Sequence, residues 1–408
     1  MKDLLALIDV PAMILLLVQL PASLQFIGRL IKFPQKHPSI QKHSFTHDMD
    51  GSVSIVIPTL NEALRIGPLL KGLRSQGGEV REIIVVDSKS HDGTIELVEA
   101  AQQDDPRFRL IDDKSLPENW VGRPWALHTG YLHSSKDSEW ILGMDADTEP
   151  EPDLVASLVK TTENLGYDMV SVSPKFILRH PGEFLLQPAL LMTLIYRFFP
   201  NNSSNDHPER ILANGQCFLC RRKVLSSIQG YNEARSSFCD DVTLARHIAS
   251  QGYKVGFLDG AEFLKVRMYE GALETWKEWG RSLDLKDASS TSRLLKDLYL
   301  LTVLQSVPIL VIVSSFFIAL NPFLVGLNIL LIMIRIMMLF AISPSYDLKV
   351  GSGAFLFWLS PIADPIAVIR IFLSSIKSPT EWRGRKYKNK LPAIDISPYK
   401  GIFRKDYP

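Results

Sequence analysis

The sequence of 408 residues predicts an α/β domain with a mainly parallel sheet, flanked on both sides by membrane helices. Two observations predict the sheet. Short apolar runs alternate with segments of helical pattern, and acidic residues follow the ends of several runs. A third observation predicts the membrane helices, because the longest apolar segments lie near the two ends of the chain.

Composition excludes several other classes of protein. The formal net charge of +1 argues against a nucleic-acid-binding protein, which would be clearly basic. The three cysteines are Cys217, Cys220 and Cys239. The first two have C-x-x-C spacing, but no histidine pair follows at a zinc-finger interval, so a structural zinc site is not predicted. Three scattered cysteines also give no disulfide framework, which is typical of a reducing compartment.

The first region, residues 1–49, contains a membrane helix and a polar linker. Leu4–Ile31 is mostly apolar and long enough to span a bilayer, which takes about 20 residues. A signal peptide would have a shorter apolar core and a small-residue cleavage site. We therefore expect a membrane helix or a membrane-lying anchor. Arg29, Lys32, Lys36 and Lys42 follow closely, and positive residues favour the cytosolic side of a membrane.

Residues 50–290 are predicted to form the soluble domain, in which strands and helices alternate as in a doubly wound sheet. The predicted strands are Val53–Ile57, Glu82–Val86, Phe108–Ile111, Trp140–Met144, Met169–Pro174 and Asn214–Arg221. The predicted helices are Ala63–Ser75, Thr94–Gln103, a helix ending near His133, Pro152–Leu165 and Val242–Ser250.

The central strand Trp140–Met144 runs directly into Asp145 and Asp147. In open α/β sheets, ligands bind beyond the carboxyl ends of the strands, so this pair is expected at the mouth of a site. Two neighbouring carboxylates suit Mg²⁺ or Mn²⁺ bridging to phosphate oxygens. An Asp-rich turn without a ligand is the alternative, because D-x-D is a short motif.

Two segments of the soluble domain have apolar or aromatic patterns. Phe184–Phe199 is short for a membrane span and is predicted to be a helix, either at the membrane surface, lining an apolar cleft, or in a protein core. In Lys265–Asp287, the side chains of Trp276, Trp279 and Leu283 are spaced to share one helix face.

Residues 291–376 carry three further apolar segments, and residues 377–408 form a basic tail. The segments are Leu298–Leu320, Phe323–Phe340 and the proline-interrupted Ala354–Ser374. Arg335 and Asp364 fall within them and each needs a partner or an aqueous cleft. Positive residues place the tail in the cytosol, which requires an even number of crossings after the soluble domain. The third segment therefore either enters the membrane and returns, or one segment lies flat.

Five motifs in the soluble domain together resemble the family 2 glycosyltransferases, which have the GT-A fold. The resemblance covers roughly residues 52–287. The family's motifs P-x-x-N-E, D-D-x-S-x-D-G-T, G-K-x-x-A, D-x-D and E-D correspond here to Pro58–Glu62, Asp87–Thr94, Gly122–Ala126, Asp145–Asp147 and Asp240–Asp241. Three positions depart from the family pattern: Ser88 replaces an aspartate, Arg123 a lysine and Asp240 a glutamate.

The resemblance implies an inverting transfer of a sugar from a UDP- or GDP-linked donor. It implies that Mg²⁺ or Mn²⁺ binds to Asp145 and Asp147 and stabilises the departing diphosphate. The residues implied to contact the donor are Pro58, Asn61, Glu62, Asp87, Arg123 and Asp145. Asp241, beside Asp240, is implied to take the proton from the attacking hydroxyl, and Arg281 to approach the diphosphate. Helix caps and solvated loop charges remain the alternatives for these residues.

The acceptor is expected to be a membrane lipid. The Q-x-x-R-W motif of processive family members is absent, which indicates transfer of one sugar. The segment from Arg267 to Leu283 resembles the subgroup that glycosylates carotenoids and hopanoids, and Trp276, Trp279 and Gln216 are expected to contact the acceptor. The protein is thus expected to be integral to a plasma or thylakoid-type membrane, with a cytosolic catalytic domain. An inactive nucleotide-sugar-binding scaffold and a polysaccharide synthase remain alternatives.

Overall fold

The computed structural model describes residues 2–32, 37–198, 208–283, 285–349, 351, 353–376, 381–382 and 385–386. The chain divides into two compact units. We call Met1–Lys36, Ile177–Pro200 and Met268–Pro379 the helical unit, and His37–Phe176, Asn201–Arg267 and Thr380–Pro408 the sheet unit.

The strands are short, and most belong to the sheet unit. They are β1 (Val53–Thr59), β2 (Val80–Asp87), β3 (Phe108–Asp112), β4 (Trp140–Met144), β5 (Thr148–Pro150), β6 (Met169–Ser173), β7 (Lys175–Ile177), β8 (Cys217–Arg221), β9 (Val255–Asp259), β10 (Leu264–Val266), β11 (Tyr346–Asp347), β12 (Glu381–Trp382) and β13 (Arg385–Lys386).

Among the helices of both units, π-helical turns at Thr275–Trp279 and Thr302–Ser306 each connect two successive helices. In chain order, the helices are α1 (Lys2–Lys32), α2 (Ile66–Arg74), α3 (Thr94–Asp104), α4 (Gly122–His133), α5 (Leu154–Asn164), α6 (Pro181–Phe198), α7 (Arg222–Ser227), α8 (Asp240–Ser250), α9 (Gly271–Glu274), α10 (Gly280–Ser282), α11 (Thr291–Leu301), α12 (Val307–Ser315), α13 (Pro322–Ile342) and α14 (Asp364–Ile376).

The seven-stranded sheet has the order β3-β2-β1-β4-β8-β6-β9. The first four strands are mutually parallel, and β8 runs antiparallel to both β4 and β6. Apolar side chains alternate between two cores, one on each face of the sheet. In β4, for example, Leu142 points to the face covered by α2 and α5, and Ile141 points to the face covered by α4 and α8.

The predicted central strand is confirmed residue for residue, and most other predicted strands match within a few residues. Two helix starts were predicted wrongly. The helix expected from Ala63 begins at Ile66, and α4 already begins at Gly122, where a loop was expected. Three-residue strands at β5, β7 and β10 pair in a second, small sheet that the sequence did not predict.

Three helices of the helical unit are long and apolar enough to span a membrane: Val10–Ile31, Thr291–Ser315 and Pro322–Ser345. Hydrogen bonds from buried side-chain amides join all three. The Gln19 side chain in α1 donates to the Asn328 side chain (2.7 Å) and to the Val303 carbonyl (2.7 Å), and Asn328 donates back to Gln19 (3.0 Å). Such amide pairs hold helices together where water does not compete.

A buried ion pair supplies the partners that Arg335 and Asp364 were expected to need. The Arg335 guanidinium donates from Nε (2.8 Å) and Nη2 (3.0 Å) to the two carboxylate oxygens of Asp364. The Gln305 side chain, in the π-helical turn before α12, also donates to Asp364 (3.1 Å). Both charged side chains are almost fully buried. Each therefore neutralises a charge whose burial without a partner would cost several kcal/mol of stability, on the order of the penalty known for buried ions.

The unit boundaries lie elsewhere than the predicted domain boundaries. Residues 37–49 cluster with the sheet unit because their backbone bonds to it; for example, the amide of Gln41 donates to Thr161 Oγ1 (3.0 Å) and that of His43 to Ser157 Oγ (2.9 Å). The predicted apolar helix is α6, which is largely buried and belongs to the helical unit. The assignment of residues 50–290 to a catalytic domain and of residues 291–376 to membrane segments stays a prediction.

The predicted third C-terminal membrane segment, Ala354–Ser374, is not one helix. It consists of two 3₁₀ turns, Ala354–Phe357 and Ser360–Ala363, followed by α14. Prolines at positions 361 and 365 explain the break, because proline cannot donate the hydrogen bond that a continuous helix needs.

Candidate active site

Asp145 and Asp147 lie in the turn that joins β4 to β5, at the carboxyl end of the central strand. The backbone amide of Asp145 donates to the Gln216 carbonyl (3.0 Å), which extends the β4–β8 pairing by one residue. Thr148 Oγ1 donates to the Asp145 carbonyl (2.8 Å) and closes the turn. The sheet therefore fixes the backbone that carries both carboxylates.

Arg123 links this turn to the rest of the site from the first turn of α4. Its Nε and Nη2 atoms donate to Asp145 Oδ1 at 3.0 and 2.8 Å, and Nη2 also donates to the Gly215 carbonyl (2.6 Å). Its Nη1 atom pairs with Asp240 Oδ2. One buried guanidinium thus bonds two carboxylates that are far apart in the sequence.

Gly215 is a glycine because Arg123 lies against it. A Cβ atom at this position would be 2.7 Å from Arg123 Nη2, too close for van der Waals contact. The missing side chain lets the guanidinium approach the backbone carbonyl.

Asp240 and Asp241 open α8, where negative charge favours a helix N-terminus. Asp240 is buried, whereas Asp241 is partly exposed and accepts a bond from the Val242 amide (2.9 Å). Because Arg123 bonds both Asp240 and Asp145, the structure brings the D-x-D turn and the aspartate pair to the same end of the sheet.

Burial raises the pKa of three carboxylates of this cluster, those of Asp147, Asp240 and Asp241. Burial, reinforced by the Asp145 carboxylate, raises the pKa of Asp147 to about 8. Burial also raises the pKa of Asp240 to about 7 against the opposing effect of Arg123, and raises that of Asp241. Burial alone would lower the pKa of Arg123, but its carboxylate neighbours outweigh burial and raise it.

The D-x-D turn has the properties of a cation site. Asp147 Oδ1 is buried and accepts no hydrogen bond within the described residues, although a buried carboxylate oxygen normally has a partner. In the described parts of the chain, no three His, Cys, Asp or Glu side chains gather as metal ligands. The carboxylates of Asp145 and Asp147 could hold Mg²⁺ or Mn²⁺, since both ions prefer oxygen ligands.

The P-x-x-N-E segment is bonded to the loop after β2. The Asn61 side-chain oxygen accepts from the backbone amide of His91 (2.9 Å), and the backbone amide of Asn61 donates to Ser90 Oγ (2.8 Å). The Glu62 amide donates to Thr94 Oγ1 (2.8 Å). Asn61 has a φ of 55°, in the left-handed region that asparagine tolerates. Asn61 therefore holds two loops together, and Pro58 lies just before them within β1.

Asp87 ends β2 and is held by the same loop. Its Oδ1 accepts from Thr59 Oγ1 (3.0 Å) and Ser90 Oγ (2.6 Å), and its Oδ2 accepts from the Ser90 amide (2.8 Å). A carboxylate offers about four acceptor positions, so one remains for a ligand.

Comparison with known proteins identifies the family that part of the chain matches. Residues 54–229 match the family described as Glycosyl transferase family 2.

These residues form a glycosyl transferase family 2 domain.

Relatives of the chain carry the name 4,4'-diaponeurosporenoate glycosyltransferase. The protein from Staphylococcus haemolyticus (strain JCSC1435) is 28% identical over 59% of this chain, and that from Staphylococcus aureus (strain USA300) is 26% identical over 63%. The chain matches 63% and 66% of the lengths of these relatives, slightly under two thirds.

A solved structure, the mannosyltransferase PcManGT from Pyrobaculum calidifontis in complex with GDP-Man and Mn²⁺, superposes with a TM-score of 0.52. The alignment covers 90% of this chain and 97% of that one at 16% identity. The likeness establishes the fold: a GT-A sheet domain accompanied by membrane-type helices, as the sequence predicted.

Asp113 is a residue of the family 2 domain that the sequence analysis missed. Ser88 stands where the family pattern has a second aspartate, and its hydroxyl donates to Asp113 Oδ2. Asp113 follows β3, is buried, and its amide donates to the Asp87 carbonyl. An acid from the neighbouring strand end therefore lies beside Ser88. The signal in the sequence was the pair Asp112-Asp113 after the predicted strand Phe108–Ile111, which resembles the position of Asp87 after Glu82–Val86.

Gln216 directly precedes β8, and its side chain is buried. Its Oε1 accepts from Asn214 Nδ2 (3.0 Å), whereas Nε2 donates to no group in the described parts of the chain. It therefore keeps one donor for a ligand.

The other predicted acceptor residues lie in the helical unit. Trp276 and Trp279 are in the π-helical turn, where Trp279 is buried and Trp276 is partly exposed. The Trp276 carbonyl accepts from Arg370 Nε (2.5 Å), and the Arg370 guanidinium lies 5.6 Å from the Trp276 ring centre. Of the two tryptophans, only Trp276 presents surface to an acceptor. Arg281 lies in α10, but its side chain is outside the described part of the structure.

Proposed function

We propose that the protein is an inverting glycosyltransferase that moves one sugar from a nucleotide-sugar to a membrane lipid, with a carotenoid or another isoprenoid alcohol as acceptor. The observation that supports this most is the bonding of Arg123 to both Asp145 and Asp240. It brings a cation site and a pair of candidate bases together where a GT-A domain binds its donor.

On this proposal, Asp145 and Asp147 hold a divalent cation. When bound, Mg²⁺ or Mn²⁺ would act as a Lewis acid that offsets the charge of the leaving nucleoside diphosphate. Arg123 lies next to this position and supplies a fixed positive charge on the same side. Glu62 and Asn61 orient the ribose side of the donor, because they belong to loops that the structure holds rigidly together.

Asp241 takes the proton from the acceptor hydroxyl. It is the more exposed aspartate of the pair, and its raised pKa makes it a stronger base than an ordinary aspartate. Asp240 is held by Arg123 and acts as a positioning residue for Asp241 and Arg123. A single base that acts on the face opposite the leaving group gives inversion without a covalent intermediate.

Counting hydrogen bonds favours a uridine donor over a guanosine donor. Asp87 has about one acceptor position left after its three bonds from Thr59 and Ser90. Uracil offers one donor, N3–H, on its pairing edge, whereas guanine offers N1–H and an N2 amino group side by side. One open position accepts the first and leaves a guanine donor unmatched.

The name of the staphylococcal relatives favours a second kind of acceptor, because diaponeurosporenoate is a carboxylate. A carboxylate is ionised near neutral pH and needs no base. The two acceptors therefore predict different behaviour for one variant. With a hydroxyl acceptor, Asp241→Asn loses turnover. With a carboxylate acceptor, this variant keeps most of its turnover.

The protein is proposed to be integral to a membrane, with the catalytic domain on the cytosolic side. Three candidate spans and the basic residues that follow the first of them support this orientation.

The experiment is a transfer assay on the full chain in lipid nanodiscs, with Mn²⁺, UDP- or GDP-hexoses and an extract of isoprenoid lipids. Release of the nucleoside diphosphate and a lipid one hexose heavier are the expected products. Asp241→Asn and the conservative Asp241→Glu are compared, with donor binding measured separately by UDP fluorescence competition. Donor binding without release of diphosphate from any donor would indicate a non-catalytic binding module and contradict the proposal.

A further inference from the structure

Residues 354–376 are apolar, yet they are too short to cross a bilayer as a helix. The α14 helix has 13 residues, which gives a length of roughly 20 Å at 1.5 Å per residue. The hydrocarbon core of a bilayer is about 30 Å thick. The two preceding 3₁₀ turns are four residues each, and the segment is not among the helices long enough to span a membrane.

The segment has its apolar side chains on the outside. Its exposed large apolar residues, each 39–67% exposed, recur at helical spacing along one face. They are Phe355, Trp358, Leu359, Ile362, Ile366, Ile369, Phe372, Leu373 and Ile376.

The charged side chains of the segment are bonded to other residues of the helical unit. Asp364 and Arg370 are its only charged residues. Asp364 is 1% exposed and paired with Arg335. Arg370 donates to the carbonyls of Trp276 (2.5 Å) and Lys277 (3.0 Å). A surface helix of a water-soluble protein has the opposite arrangement, with charged residues outside.

The surroundings of this face indicate what covers it. The candidate spans of the same helical unit also expose large apolar side chains, such as Leu310, Met333 and Met337. Within residues 354–376 the one partly exposed charge is Arg370, and its guanidinium is bonded to the carbonyls of Trp276 and Lys277, so the exposed face lacks the polar rim of a protein–protein interface. The sequence directly after the segment is basic, which suits anionic lipid headgroups.

We propose that residues 354–376 enter one leaflet of the bilayer and leave it on the side from which they entered. The exposed face of α14 contacts acyl chains, and Arg370 holds the π-helical turn of Trp276 at that depth. The partner of this face is therefore the lipid itself. The segment contributes no crossing, which leaves two crossings after residue 290 and gives the even number that the basic tail requires.

The first test concerns sidedness. Epitope tags are placed after Asp347 in one version of the full chain and at the C-terminus in another, and antibody binding is compared in intact and permeabilised spheroplasts. We expect both tags to respond alike. Opposite responses would mean that the segment crosses the membrane, and the proposal would be overturned.

The second test concerns what the exposed face touches. Single cysteines at Ile366, Ile369 or Leu373 are labelled with a bimane fluorophore in nanodiscs. Brominated lipid chains should quench these labels at least twofold more than aqueous iodide does. Stronger quenching by iodide, or protection from both quenchers, would place the face in water or under another protein and overturn the proposal.

Matched controls make the second test selective. Ala367→Cys lies on the inward face and should label poorly, because Ala367 is fully buried. The unmodified chain supplies the background, since its three cysteines are buried and burial raises the thiol pKa of Cys217 and Cys220 well above the usual range.

Discussion

The two aspartates of the D-x-D turn should respond in opposite directions to the same substitution when no metal is present. Asp147 is a buried carboxylate whose Oδ1 lacks a hydrogen bond in the described structure, whereas Asp145 is bonded by Arg123. Replacing Asp147 by Asn removes a buried charge that lies beside another negative charge. Replacing Asp145 by Asn removes the charged partner of a buried guanidinium. We therefore expect Asp147→Asn to stabilise the metal-free protein and Asp145→Asn to destabilise it.

The magnitude for Asp147 follows from its pKa. The pKa rises from 3.8 to about 8 on folding, which sets an upper bound of roughly 6 kcal/mol on the cost of ionising this group in the folded state. The folded state holds a proton that the unfolded state has lost, so stability falls as the pH rises from about 4 to about 8. Structural relaxation reduces the bound, and a gain of about 1–3 kcal/mol for Asp147→Asn at pH 8 is expected. For Asp145→Asn the loss is about 2 kcal/mol.

The assay is thermal unfolding of the detergent-purified chain in EDTA at pH 5 and pH 8, repeated with Mn²⁺. In EDTA, the gain in stability of Asp147→Asn over the wild type should be larger at pH 8 than at pH 5. Mn²⁺ at about 100 times its dissociation constant should stabilise the wild type by about 2.7 kcal/mol at pH 8 and should affect neither variant strongly. An Asp147→Asn protein that is less stable than the wild type in EDTA would refute the reasoning.

Three further outcomes follow from the site and from the helical unit. With a hydroxyl acceptor, kcat/KM should fall as the pH drops, with an acid limb above the usual range of an aspartate. Burial raises the pKa of Asp241, which must be ionised to act as the base, and raises that of its neighbour Asp240 to about 7. Asp240→Asn should move this acid limb, and a flat profile would argue against a base. Arg123→Lys should lower kcat/KM by about 10²-fold, since one ammonium group cannot bond Asp145, Asp240 and the Gly215 carbonyl with the geometry of the guanidinium; near-normal kinetics would remove Arg123 from the site. Arg335→Leu alone should cost about 3–5 kcal/mol, whereas Arg335→Leu with Asp364→Leu should recover most of this loss in a thermal unfolding comparison; an additive loss would mean that the pair does not act as a unit.

The local pattern of apolar and polar residues was sufficient to predict an element wherever one or both of its faces are buried over several residues. The strand Trp140–Met144 is a continuous apolar run bounded by polar residues, and its ends were predicted correctly. Strands β5, β7 and β10 have three residues each, too few for a period to be recognised.

Contacts between distant residues explain the remaining differences. The helix expected from Ala63 starts at Ile66 because Asn61 adopts a left-handed conformation and bonds the loop after β2. In the site, the motifs predicted which residues lie at the strand ends, but not how they are bonded. The bridge that Arg123 forms, and the proximity of Ser88 to Asp113, depend on strand order, which no local spacing encodes.

The bidentate pair between Arg335 and Asp364 has a consequence for biosynthesis. The arginine sits within a 21-residue apolar helix, and its insertion alone would cost about 3 kcal/mol on translocon scales. Its counter-ion is 29 residues further along the chain and leaves the ribosome later. On the proposed membrane location, we expect the arginine-bearing helix to reach its final position only after α14 has been synthesised, and nascent chains that stop before Asp364 to be retained poorly in the membrane and degraded early.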